Sequence, residues 1–160
     1  MPTGLYFEDL EIGQAMATKG RTITEADIVN FAGLSGDYNP LHTDAKFTAL
    51  SARNAYNEEF GQRVARGALG FSVATGLSYQ LGFLEGTVMA FLELTWKYSA
   101  PIYIGDTLHC ELTIKDLKPM RRLGGGKVTL EVRVLNQEGK IVQRGDWVLL
   151  VRSRPEGGSE

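Results

Sequence analysis

Residues 67–81 read Gly-Ala-Leu-Gly-Phe-Ser-Val-Ala-Thr-Gly-Leu-Ser-Tyr-Gln-Leu, and no charged residue interrupts them. The segment predicts a helix from about Gly67 to Leu81. Leu69, Phe71, Val73, Leu77 and Leu81 spread around its circumference, so the helix must be covered on most sides. Gly67, Ala68, Gly70, Ala74 and Gly76 keep it thin. A glycine weakens a helix by roughly 1 kcal/mol relative to alanine. Close packing by an element that wraps the helix would offset that cost, and a curved sheet is the natural wrapper. Ser72, Thr75, Ser78 and Gln80 break the apolar run, which reads as a helix buried in protein rather than in lipid.

The sheet is legible downstream. Val88 to Tyr98 alternates, with Val88, Ala90, Leu92, Leu94, Trp96 and Tyr98 on one side. Leu108, Cys110, Leu112 and Ile114 alternate with Thr107, His109, Glu111 and Thr113. Val128, Leu130, Val132 and Val134 alternate with Lys127, Thr129, Glu131 and Arg133. Runs of period two are half-buried antiparallel strands. Asn136-Gln137-Glu138-Gly139 predicts a hairpin turn into a strand over Ile141 to Val151. The expectation is one α+β domain across residues 1–160, with a core from about 10 to 151 and a frayed tail over 152–160.

Upstream, Leu5 to Gly20 reads as a short strand or extended lead-in. Thr24 opens a helix, with Asp27 three residues on and Ile23 and Ile28 set as a hydrophobic staple. Ile28, Phe31, Ala32 and Leu34 form its apolar face, and Gly33, Ser35 and Gly36 end it. A further short helix is expected around Ala45 to Ala52. Between the two lies Gly36-Asp37-Tyr38-Asn39-Pro40-Leu41-His42. A carboxylate and an imidazole on a stiffened loop can share one water and move protons near neutral pH. Pro40 pushes Asn39 toward an extended shape. The five-residue spacing of Asp37 and His42 permits convergence across a bend, and it permits divergence too.

Composition sets limits around this motif. Apolar residues make up 43% and charged residues 22%, as in ordinary globular proteins. A net charge of −2 supplies no global attraction to nucleic acid. The single cysteine, Cys110, excludes an internal disulfide and suits a reducing compartment. Met1-Pro2-Thr3-Gly4 is followed by no apolar signal run, so the expected location is the cytoplasm, with no membrane attachment. His42, Asp44, His109 and Cys110 lack a recognisable metal-ligand spacing, and no metal is expected.

Residues 31–47 closely resemble the hydratase motif of the MaoC-like family, the (R)-specific enoyl-CoA hydratases. The likeness extends through Arg63-Val64-Ala65-Arg66-Gly67-Ala68-Leu69, through Pro101 to Leu108, and to the closing hairpin. The resemblance implies the hot-dog fold, a sheet wrapped around a long helix. It also implies syn addition of water to a trans-2-enoyl thioester, giving an (R)-3-hydroxyacyl thioester. By the same resemblance Asp37 and His42 are the acid–base pair, and Asn39 orients the loop or the water. The Gly67 N–H is the implied oxyanion donor, suited by its place at a helix start. Thr75, Ala65 and Arg66 are the expected substrate-binding residues. Thr75 has an alternative, a hydroxyl bonded back to its own helix. Arg66 departs from the family, which often has histidine there, and Thr48 stands where alanine or serine is usual.

The expected partner is an acyl-CoA substrate, with coenzyme A part of the substrate and no separate cofactor. A homodimer or larger homo-oligomer is expected, because a curved open sheet leaves an edge to cover. Phe71, Leu77, Tyr79 and Phe83 either line an acyl tunnel or fill the core. A hot-dog thioesterase is the alternative enzyme, but no Asp or Glu occurs between Gly67 and Leu84 to serve it. A non-catalytic acyl-thioester-binding subunit is the other alternative, against which the intact Asp37, Asn39 and His42 argue.

Overall fold

The computed structural model describes residues 4–50, 53 and 59–155. The opening segment makes a 3-10 turn at Phe7–Asp9 and two short strands, β1 (Ala15–Ala17) and β2 (Arg21–Thr22). Helix α1 (Glu25–Ser35) follows, then α2 (Pro40–Thr43) and α3 (Ala45–Leu50). The central helix is α4 (Gly67–Tyr79), and after it come β3 (Val88–Tyr98), β4 (Thr107–Met120), β5 (Gly125–Leu135) and β6 (Ile141–Arg152). All pairings are antiparallel, in the order β1-β4-β5-β6-β3, with β2 also on β4.

The inner face of this sheet closes on α4. Cys110 lies opposite Val134, Leu112 opposite Val132 and Ile114 opposite Leu130, all of them buried. Val142, Trp147, Leu149 and Val151 extend the same core from β6. Leu69, Val73, Ala74 and Leu77 of α4 meet them. Each such aliphatic side chain contributes about 1.5–3 kcal/mol relative to exposure. The slimness of α4 is required here: a Cβ on Gly70 would run into the Gln143 amide and lie 2.7 Å from Ile102 Cδ1. This is the α+β hot-dog arrangement that the resemblance implied.

Helix α1 begins as its sequence predicts. The Thr24 hydroxyl accepts from the Asp27 N–H, and the Asp27 carboxylate accepts from the Thr24 N–H. Ile23 and Ile28 are both buried, as the staple requires. Gly36 takes φ 70° and closes the helix through its N–H on the Ala32 carbonyl.

Several expectations need correction. Leu34 is 83% exposed and off the apolar face, and Gly33 lies inside α1 rather than ending it. The central helix stops at Tyr79, short of Leu81. The expected end of α3 at Ala52 falls outside the described residues, as does the Asn54–Glu58 stretch. Strand β3 does not keep a simple alternation. Its pairing with β6 shifts between Val88 and Ala90 and between Phe91 and Glu93. As a result Phe91 and Trp96, five residues apart, both face the Phe71 ring of α4. An extra residue in one strand reverses which face the following side chains take.

Candidate active site

The Asp37–His42 segment is not an open loop throughout. Pro40 occupies the first position of α2, where its missing N–H costs nothing, and Asn39 caps the turn. The Asn39 Oδ1 accepts from Leu41 N–H at 3.0 Å. Asp37 Oδ1 in turn accepts from Asn39 N–H at 3.1 Å. These two short-range bonds set the bend between the carboxylate and the imidazole. The bend converges: Asp37 Oδ2 lies 3.9 Å from His42 Nε2.

The imidazole is oriented from its other side. His42 Nδ1 is 2.7 Å from the Val64 carbonyl oxygen, which can only accept, so the proton is assigned to Nδ1. In the neutral ring Nε2 then presents a lone pair toward Asp37. Two acceptors 3.9 Å apart are too far for a direct bond and well placed to receive both hydrogens of one water. The Asp37 carboxyl is held below the ordinary carboxylate range, first by the Asn39 N–H and then by the Arg66 charge.

The strand-like stretch before α4 joins this pair to the central helix. Val64 N–H reaches the Leu41 carbonyl and Ala65 N–H reaches the Ile102 carbonyl, while Val64 bridges Tyr103. Gly67 is the first residue of α4, so its N–H lies ahead of the intrahelical ladder and points with the positive helix end. A Cβ at this position would stand 2.5 Å from the Tyr98 ring. The Gly67 carbonyl accepts from the Gln143 amide at 3.0 Å, which ties the first turn to β6. Asp37, His42, Ala65, Arg66, Gly67, Tyr98 and Gln143 share one cleft of about 620 Å³.

Of the three expected substrate-binding residues, Ala65 and Arg66 line this cleft and Thr75 does not. Arg66 turns away from the solvent, with a side chain only 4% exposed, and lies against Asp37 and α1. Thr75 does not open on this cleft. Its hydroxyl donates to the Ser72 carbonyl at 2.7 Å, and the residue lines a second, apolar cavity of about 300 Å³. Tyr79, Phe83, Phe91 and Trp147 line that cavity too, whereas Leu77 packs in the core. Gln143 and Tyr98 were not singled out for the site by sequence. Gln143 reads there as one polar residue in an alternating strand, and only its partners reveal its place.

Among the described residues no group of three or more His, Cys, Asp or Glu is placed to hold a metal. No helix among them is long and apolar enough to cross a membrane. The alternative of a helix-borne carboxylate finds no support, since α4 carries neither Asp nor Glu.

Comparison with known proteins shows the family. The family model described as a MaoC like domain matches residues 8–136. An (R)-specific enoyl-CoA hydratase of Rhodospirillum rubrum is 34% identical over 150 residues, which cover 93% of each chain. The one from Aeromonas caviae is 29% identical over 142 residues, covering 89% of this chain and 96% of its own. Its type is also represented among solved structures by the A. caviae (R)-hydratase, with a TM-score of 0.71 over 92% of this chain and 99% of that one at 28% identity. A monoamine oxidase regulatory protein from Archaeoglobus has a TM-score of 0.84 at 32% identity, covering 95% and 97% of the two chains. The chain therefore belongs to the MaoC-like dehydratase family and is a hydro-lyase.

Proposed function

We propose that this enzyme adds water reversibly across the double bond of a trans-2-enoyl-CoA, giving the (R)-3-hydroxyacyl-CoA. The observation that carries the reading is the 3.9 Å gap between Asp37 Oδ2 and His42 Nε2, in the cleft that also holds Gly67. A water in that gap gives both hydrogens to the pair and turns an oxygen lone pair toward the substrate. Its oxygen bonds to Cβ, one O–H bond breaks, and the proton passes through the pair to Cα. Both additions come from one side, which is syn hydration. Asp37 and His42 act as a coupled unit in this transfer. The thioester carbonyl gathers charge as Cβ is attacked, and the Gly67 N–H is the donor for that oxygen. Asn39 keeps the bend in shape, and Ala65 lines the approach. Water and protein side chains suffice, so the reaction needs no cofactor.

The same reading includes a homodimer. Strand β3 ends the sheet order with its outer edge open, and Val88, Met89, Phe91, Leu92, Leu94 and Tyr98 are 42–62% exposed along it. An apolar edge of this length favours pairing with a second copy. Light scattering should give twice the 17.6 kDa chain mass, and a monomer at assay concentration would remove the dimer from the reading.

The decisive assay follows loss of enoyl-thioester absorbance with crotonyl-CoA, together with product stereochemistry and free thiol. Formation of (R)-3-hydroxybutyryl-CoA without thiol is the expected result. Thiol release would instead make the protein a thioesterase. Failure with crotonyl-CoA and with longer and branched enoyl-CoAs would leave a binding role.

A further inference from the structure

Arg66 is the least expected charge in the molecule. It sits at the N-cap of α4, 3% exposed, where a basic residue opposes the helix dipole. A buried guanidinium stays charged and is costly unless paired and hydrogen-bonded. Here every described bond serves one purpose. Nε donates to Asp37 Oδ2 at 3.1 Å, one terminal nitrogen donates to the Asp37 carbonyl, and the other donates to the Ile28 carbonyl at 3.3 Å. The fork thus spans from α1 to the start of α4, and grips Asp37 by both its side chain and its backbone.

The remaining surroundings of Asp37 are sparse. His42 faces it from α2, and α1 contributes only the Ser35 hydroxyl, which accepts from the Asp37 N–H at 3.3 Å. The charged or titratable groups facing the carboxyl are therefore Arg66 and His42. Asp37 itself is about half exposed, at 48% of its side chain. The Asn39 N–H holds one oxygen, Oδ1, at 3.1 Å, and the buried arginine anchors the other, Oδ2, which faces His42.

We propose that Arg66 is a positioning residue, which holds the Asp37 carboxylate aimed at His42 Nε2 rather than touching substrate. The inference rests on the hydratase reading for its catalytic consequence, but the pairing stands on geometry alone. The arginine fork leaves Oδ2 shared between a fixed donor and the water gap. The Asn39 N–H and, after it, the Arg66 charge both favour the ionised form of Asp37.

The test compares wild type with Arg66→Met and Arg66→Lys, following the Asp37 carboxyl by ¹³C NMR titration and kcat and KM across pH. In Arg66→Met the Asp37 midpoint should rise by about 1 pH unit, the lower end for losing a close opposite charge. The acid limb of kcat/KM should move up with it, and kcat should fall by about tenfold or more from lost alignment while KM changes little. Arg66→Lys keeps a charge but not the fork, so the midpoint should stay near wild type while kcat still falls. This second variant carries the test if the methionine protein does not fold. An unmoved midpoint in Arg66→Met would overturn the proposal, as would a raised KM with kcat and the acid limb unchanged in either variant. A lower melting temperature with no change in titration would reduce Arg66 to a structural role and also overturn it. The NMR titration needs no substrate, so it reports on the pairing even if wild type fails to hydrate enoyl-CoA.

Discussion

The two cavities along α4 share a helix and differ in almost everything else. The cleft at its first turn brings together Asp37 from the bend after α1, His42 from α2, and Arg66 and Gly67 from the start of α4. The cavity beside its second half is lined by Thr75, Ser78, Tyr79 and the apolar side chains of β3–β6. Moving along three elements gives the same order. Gly67 to Thr75 on α4, Tyr98 to Phe91 on β3 and Gln143 to Trp147 on β6 each pass from the first cavity to the second. Between them stands an aromatic cluster, with Phe71 5.3 Å from Trp96 and 5.7 Å from Trp147, ring centre to ring centre. The titratable groups of the first cleft stand where backbone donors and chain bends are available. The second cavity is mainly apolar; its Thr75 and Ser78 hydroxyls are committed to helix carbonyls, and its Tyr79 hydroxyl donates to Glu85 at 3.2 Å, a lining suited to a chain rather than to chemistry.

The sharpest way to break this contrast is Asp37→Asn. The amide keeps the shape of the bend but cannot serve as the base, so kcat/KM should fall by at least about 10²-fold with crotonyl-CoA. The fold should persist, since the Asp37 side chain is half exposed and its backbone bonds to the Ser35 and Arg66 side chains remain. A loss under tenfold would move the chemistry away from the first cavity.

Phe71→Ala tests the wall rather than the chemistry. Removing the ring should join the cavities, and kcat/KM for an eight-carbon enoyl-CoA relative to crotonyl-CoA should rise by about tenfold, within the range that a few methylenes command. An unchanged ratio would show that the apolar cavity takes no part in chain selection.

The smallest expected effect concerns the link between the two regions. Gln143 donates to the Gly67 carbonyl and accepts from the Trp96 indole N–H at 3.1 Å, so one buried amide touches both the cleft and the wall. Gln143→Leu should cost about 1–3 kcal/mol of stability, because it leaves two partners unpaired. Chemical denaturation measures that loss, and a neutral result would mean that the tether is replaced by other contacts.

Much of this was readable before any coordinates. The Thr24 and Asp27 cap, the Gly36 stop and the strands at β4, β5 and β6 follow from local chemistry, and each lies close to where it was expected. The acid, the amide and the imidazole around Pro40 were visible as a motif. Strand β3 was misread in detail, since its bulges reverse the facing of side chains and leave no mark in a run of apolar residues. From the sequence, Arg66 is expected among the substrate-binding residues. Nothing near it in the chain announces that Asp37, twenty-nine residues away, is its partner.

The amino-acid sequence by itself determined the slender central helix, the alternating strands that wrap it and the cluster of an acid, an amide and an imidazole around Pro40. Those features depend on periodicity, capping and side-chain type, all of which act within a few residues. Only the tertiary structure decided that Asp37 and His42 converge, that Arg66 turns inward to grip the carboxylate, and that Thr75 opens on a different cavity from Gly67. Each of these depends on contacts between distant segments, where packing against α1, the Val64 stretch and the aromatic cluster outweighs local preference.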